Sequence, residues 1–465
     1  MTDLAVDLDL PAAEPDDPHA IRIDNPVDGS LVGRVAMASR EDVTAAVEAA
    51  RAATAEWAAT PAADRGAALR AAAAAVRGRA DDLAAINEAE TGKPAADAKE
   101  GVLAGAGTLE QYAELGTVHR GRSLLGAVSA TDLMVPEPRG VAAVLTPWND
   151  PVAVACGLLG AALVTGNTVV YKPSERCPHT GLLLGELLAP YVPDGVLTSL
   201  PGDGSVGAWL AESPVDLIAH VGSSEAGRAI AKAAATTGAK VLLENGGNDP
   251  LVVDADVDPR WAAAQAATGS FANSGQICVA VERIYVHRAI AEPFVTALTE
   301  EAERTGLLPL VDRAHRDKVH DHVADAVAAG ARLCAGGVVP DDPGSRYPAT
   351  VLADCTPGMR VLREETFGPV APVCVVDSFA DGLEAARTDR YGLAATVLTR
   401  SMEHAQRAWR ALPVGTVKVN AVFGGAPGGA AQPRGASGQG YGYGPELLDE
   451  MTTTKVVHIE PAPGG

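Results

Sequence analysis

The chain has 465 residues, 47% of them hydrophobic and 21% charged, with a formal net charge of −22. That length exceeds one ordinary core and predicts two or three domains of a soluble globular protein. The acidity disfavours nucleic acid and anionic membranes as partners, because both reward positive charge, and it points to solubility instead.

Six cysteines, at 156, 177, 278, 334, 355 and 374, form no CxxC pair, which fits reduced thiols in a cytoplasm better than a disulfide framework. The start, Met1-Thr2-Asp3-Leu4, continues acidic and carries no secretory signal. The longest apolar stretch, about 151–164, is shorter than the roughly 20 residues of a membrane span.

Residues 1–20, rich in Pro, Asp and Ala, read as a loose tail. Residues 40–115 are alanine-rich and helical in pattern, and Ser39 followed by Glu41 and Asp42 is a helix-start signature. From Val141 the pattern alternates. Apolar strands at 141–145, 168–171, 196–200, 217–220 and 240–243 are separated by helical stretches near 151–165, 178–190, 205–212 and 224–237. This predicts βαβ units and a mainly parallel sheet, which binds ligands beyond the carboxyl ends of its strands, where the loops carrying Asn149, Lys172 and Gly222 fall. A second alternating region over 249–420, with strands at 281–286, 371–375 and 416–419, predicts a second α/β domain. Residues 424–444 are dense in glycine, and 451–460 read as a terminal strand without a local partner, expected to join another sheet, with a partner subunit's sheet one option.

Three motifs carry chemistry. Ser274-Gly275-Gln276-Ile277-Cys278 frames a thiol, and Leu243-Glu244-Asn245-Gly246-Gly247 sets a carboxylate on a glycine-rich turn, a pattern suited to covalent catalysis with a separate general base. Thr146-Pro147-Trp148-Asn149 adds an amide able to hold an oxyanion. Each also has a bland reading: a buried structural thiol, a charge ending a strand, and a cap for a helix beginning at Pro151. Together they resemble the aldehyde dehydrogenase superfamily, in its NAD(P)-dependent, hydrolytic, non-acylating form, over about residues 25–460.

The resemblance implies an α/β fold with a Rossmann-like cofactor domain, a second α/β catalytic domain and a small β oligomerisation arm. Its boundaries would be 21–118 and 140–246 for the cofactor domain, 247–425 for the catalytic domain, and 119–139 with 426–465 for the arm and tail. It implies Cys278 as nucleophile, Glu244 as the base that activates water, and Asn149 as oxyanion donor. Trp148 precedes that asparagine and is assigned to the cofactor site with Lys172, Ser174 and Glu175 of the ribose clamp, where the Glu175 carboxylate favours NAD over NADP. Two glycine patterns compete for the pyrophosphate. Gly202-Asp203-Gly204-Ser205-Val206-Gly207 is a formal GxGxxG, placed near the adenine, while Gly222, Ser223 and Gly227 match the family's GSxxxG. Glu364-Glu365-Thr366-Phe367-Gly368-Pro369 resembles a motif in which Glu365 holds the nicotinamide ribose and Phe367 packs beside the nicotinamide.

Departures from the family pattern are Asn245 and Asn248, a short 303–319 segment, and a 427–438 tail that keeps its glycines without the usual aromatic and lysine. Asp150 stands where an aromatic often lines the aldehyde tunnel, with Val154, Gly157, Ile277 and Val279 as further lining residues. That acid favours a cationic or polar aldehyde if it faces the tunnel, and has no such effect if it only caps the helix at Pro151. No metal is expected: His315, His320 and His322 read as a solvated face, and the run Asp254, Asp256, Asp258 has Pro259 and Gln265 where a calcium loop needs glycine and acid. The expected partners are a small aldehyde and further copies of the chain in a homodimer or homotetramer. Two alternatives stay open: a catalytically impaired member acting as a binding or structural protein, and a redox-independent thiol esterase.

Overall fold

The computed structural model describes residue 17, residues 19–425 and residues 429–462. Most of the expected N-terminal tail, and Pro427 with Gly428 of the glycine-rich tail, lie outside the described residues. Where description begins, Ala20–Asp24 is already a strand, paired with Leu31–Ala36.

The apolar runs Val141–Leu145 and Thr168–Lys172 are buried at every position, as parallel strands covered on both faces must be. They lie in a six-stranded sheet whose order is Gly438–Gln439, Lys240–Asn245, Leu217–Gly222, Val141–Leu145, Thr168–Lys172, Leu197–Ser199. All neighbours are parallel except the first pair. Helices Ala62–Gly78, Ala95–Val118 and Pro151–Val164 pack one face, and Arg40–Ala59, Gly204–Glu212 and Ser224–Thr237 the other. Ser39 starts the first helix with a full capping box to Asp42.

A second, seven-stranded sheet runs Arg332–Ala335, Thr350–Ala353, Val370–Val376, Val281–His287, Asp249–Val253, Ala394–Leu398, Thr416–Val419, parallel apart from its first strand. The short 303–319 segment is accounted for: the helix Ala291–Thr305 stops at Gly306 (φ +71°), Leu307–Pro309 pairs with Arg346–Pro348, and the helix Arg313–Ala328 follows.

One expectation is made specific and another is corrected. The strand Thr452–Ile459 has a partner in its own chain, pairing antiparallel with Thr131–Pro138 from Thr452↔Pro138 to Ile459↔Thr131. Its partner lies more than three hundred residues upstream, beyond the reach of any local signal. Nor are the histidines of Arg313–Ala328 a solvated face. The helical repeat puts His315, Val319, His322, Val323 and Ala326 on one buried stripe. Among the described residues no helix is long and apolar enough to cross a membrane, and no group of three or more His, Cys, Asp or Glu is placed to hold a metal ion.

Candidate active site

Cys278 sits on a loop that the backbone reaches through three consecutive left-handed residues, Asn273 (φ +48°), Ser274 (φ +60°) and Gly275 (φ +73°). Non-glycine residues rarely adopt this region, so the loop is held there by its neighbours. A β-carbon on Gly275 would lie 2.1 Å from the Gly368 carbonyl oxygen. Gln276 anchors the turn, its Oε1 accepting from the Val311 N–H at 3.0 Å. The Gln276 carbonyl accepts from Asn149 Nδ2 at 3.0 Å and from Asn273 Nδ2 at 3.2 Å. Asn149 therefore does not cap the helix at Pro151; its amide reaches across to the loop carrying the thiol.

Burial, then the Glu244, Asp249 and Glu365 carboxyls, push the half-buried Cys278 thiol well up, with a small opposing pull from the Val279 main chain. Burial also raises Glu244. Late in the chain, Gly438 pairs opposite Glu244. A β-carbon on Gly442 would lie 2.0 Å from Glu244 Oε2, so the base is covered closely from that side. Tyr443 feels both Glu244 and Cys278. On the far side of the thiol, Asp249 is buried, accepts from the Ala394 N–H at 3.1 Å, and leaves Oδ2 without a partner. Ile277 and Val279, both half-buried, flank the nucleophile.

The Glu365–Phe367 turn is pinned from below. Buried Glu282 accepts from the Thr366 N–H at 3.0 Å and the Phe367 N–H at 2.8 Å, holding Phe367 at φ +57°. His315 Nε2 bonds the Phe367 carbonyl at 2.7 Å, and burial pushes that histidine down to about 4, so it is neutral and donates. Trp148, His315 and Phe367 meet edge to face with centroids 5.5–6.1 Å apart, and the Arg176 guanidinium lies 5.3 Å above Trp148. Glu365 accepts from the Gly247 N–H at 3.0 Å; burial and then Glu282 raise its carboxyl to about 8.

A cavity of about 650 Å³ opens at the carboxyl edge of the six-stranded sheet. Gly207, Ala208 and Ala211 from one helix face Ala229, Ile230 and Ala233 from the next, making an apolar slot, and Trp148, Lys172, Ser174, Glu175, Gly222 and Ser223 form its rim. Buried Lys172 donates to the Gly202 carbonyl at 2.6 Å and the Pro173 carbonyl at 2.8 Å, and stands 3.8 Å from Glu175. Ser223 caps the helix Ser224–Thr237 by accepting from the Ala226 N–H, and Glu225 and Ala226 of its first turn join the cavity lining. An apolar slot, a lysine and carboxylate pair, and a helix N-terminus together fit an adenine, a ribose and a pyrophosphate.

Two residues expected at the cofactor stand outside the cavity lining. Gly202 is outside the cavity lining and orients Lys172 through its carbonyl. Gly227 is also outside it; a β-carbon there would lie 2.2 Å from Asn245 Oδ1, so this glycine lets helix and strand pack closely. In the expected tunnel, Val154 packs partly buried on the core, and a β-carbon on Gly157 would meet nothing within 4 Å, which leaves space beside that helix. Asp150 begins the helix without a side-chain cap bond and pairs with Lys93 at 3.3 Å. The unpaired negative charge on which a cationic substrate would depend is therefore balanced. The sequence reading missed Glu282, Asp249, Tyr443 and His220; unpartnered polar residues in apolar strands were the available signal for the first, second and fourth.

The model of the aldehyde dehydrogenase family matches residues 13–457. Among solved structures, a succinate-semialdehyde dehydrogenase from Burkholderia pseudomallei is 32% identical, with 96% of this chain and 95% of that chain covered and a TM-score of 0.92. A lactaldehyde dehydrogenase from Escherichia coli is 32% identical over 96% of this chain and 97% of that one, with a TM-score of 0.91. PnpE in complex with nicotinamide adenine dinucleotide is 31% identical over 95% and 94%, again with a TM-score of 0.91. Matched along nearly its whole length in sequence and in fold, the chain belongs to the aldehyde dehydrogenase family.

Proposed function

We propose that the protein oxidises an aldehyde to its carboxylic acid with NAD, through a thioester on Cys278. The observation that carries the reading is Asn149, whose amide is 3.0 Å from the carbonyl of Gln276 in the loop that presents the thiol, while the same thiol shares its surroundings with Glu244. Cys278 Sγ adds to the aldehyde carbon as its proton leaves to a neighbouring buried carboxylate. The second amide hydrogen of Asn149, with the Cys278 N–H, holds the developing oxyanion. When bound, the nicotinamide ring supplies the acceptor for the hydride that leaves this adduct. Glu244 then takes a proton from the water that attacks the thioester, the acid departs, and the thiol is restored.

Burial disfavours the charged form of both the Cys278 thiol and the Glu244 carboxyl, raising each from its ordinary value. Substrate addition and water attack each require proton transfer between them or through water, and the low-dielectric setting keeps those transfers local. Glu175 beside Lys172 supports NAD, because a carboxylate there repels a 2′-phosphate; NADP is the weaker alternative. We assign cofactor binding to 21–118 and 140–246, catalysis to 247–425, and self-association as a homodimer or homotetramer to the arm and tail at 119–139 and 426–465.

The test is NADH formation, followed by absorbance, with short, aromatic, amino- and carboxy-aldehydes beside Cys278→Ala and NADP controls. Turnover that disappears in the variant supports the reading. Ester hydrolysis with no NADH formed from any aldehyde, or NAD binding without turnover on any aldehyde, overturns it.

A further inference from the structure

His220 lies near the carboxyl end of Leu217–Gly222 and lines the 650 Å³ cavity, with 7% of its surface exposed. Neither of its ring nitrogens has a hydrogen-bond partner, although the Ser223 main chain lies close by. Strand register explains where the ring points. Leu145 is paired with His220 on one side and with Lys172 on the other, so the three stand in a row across the sheet. Ile218 and Val170, two residues before His220 and Lys172, belong to the core beneath the helices Gly204–Glu212 and Ser224–Thr237. The period of two places His220 and Lys172 on that same face, opening into the apolar slot. The ring also lies under the glycine turn: a β-carbon on Gly222 would be 2.7 Å from His220 Cε1 and 2.9 Å from Nε2.

A buried imidazole with two unsatisfied nitrogens is a cost that an aromatic hydrocarbon of similar size would avoid. We propose that His220 is a dinucleotide-binding residue that hydrogen-bonds the adenosine half of the cofactor from the floor of the slot. The inference rests on the reading of this cavity as the NAD site. Burial foremost, with Lys172 nearby, pushes the ring down to about 4, leaving it neutral with one donor and one acceptor. That pair matches a ribose hydroxyl or an adenine edge, which both give and accept, better than it matches a phosphate.

The experiment uses the full chain and calorimetric titration with NAD, AMP and nicotinamide mononucleotide, together with thermal melting without ligand. Wild type is compared with His220→Phe and His220→Asn. Expected is a roughly 5- to 10-fold weaker binding of NAD and AMP by His220→Phe, partial recovery in His220→Asn, unchanged nicotinamide mononucleotide, and a ligand-free melting temperature equal to or above wild type. Unchanged NAD and AMP affinity in His220→Phe overturns the proposal and leaves the ring a core residue. Equal weakening of all three ligands also overturns it, since the loss is then general. If wild type binds neither NAD nor AMP, it is the cofactor reading of the cavity that falls.

Discussion

One amide hydrogen of Asn149 is engaged by the Gln276 carbonyl, so a single side chain both tethers the nucleophile loop and offers a donor to the reacting oxygen. Asn149→Ala removes both, and kcat is expected to fall about 100- to 1000-fold with NAD affinity unchanged, as stopped-flow turnover and cofactor titration would measure. Asp150 and Lys93 make a more delicate pair. Asp150→Asn leaves the ammonium without its carboxylate, so kcat/KM for carboxylate-bearing aldehydes is expected to rise roughly 3- to 10-fold relative to neutral ones. No change in that ratio would place the pair away from the substrate path. Glu365 carries a pH signature. Its carboxyl is raised to about 8 in the folded chain, so its stabilising share is present at low pH and is lost as pH rises toward that value. Urea midpoints at about pH 5 and about pH 8.5 should therefore fall more in wild type than in Glu365→Gln.

Between residue and molecule, the decisive element is the loop from Asn273 to Gly275, whose left-handed run delivers Cys278 against the Phe367–Gly368 turn. Gly275→Ala forces a β-carbon against the Gly368 carbonyl, at a φ that alanine rarely accepts. A loss of about 1–3 kcal/mol in denaturant stability is expected, with a slower acylation step. None of this strain is visible in the sequence, where Ser274-Gly275 reads only as part of the motif framing the thiol. The strands of the six-stranded sheet were legible because burial on both faces leaves uninterrupted apolar runs such as Val141–Leu145, punctuated by glycine and proline. The same rule hid His220 and Glu282. A polar residue inside an apolar run looks like an error in the pattern until the structure shows what it faces.

At the scale of the whole molecule, the catalytic side chains were legible as short motifs, while the surfaces that enclose them were not. Gly442 and Tyr443 close over Glu244 from a segment roughly two hundred residues later, brought there by the short antiparallel pairing of Gly438–Gln439 with Lys240–Asn245. Contacts of that sequence separation leave no periodic trace. Deleting residues from Gly440 onward is expected to keep the six-stranded sheet's five parallel strands yet lose thioester hydrolysis and expose the edge of Thr131–Pro138. Circular dichroism, turnover assays and light scattering would separate those effects.

That late pairing also sets an order in time. As the chain leaves the ribosome, Asn149, Glu244 and Cys278 emerge long before the residues that cover the base, and Thr131–Pro138 waits unpaired until Thr452–Ile459 is made. The nascent protein thus carries a full set of reactive groups with no finished enzyme around them. Its most exposed interval comes during the synthesis of its second half, when chaperone protection of that open edge matters most.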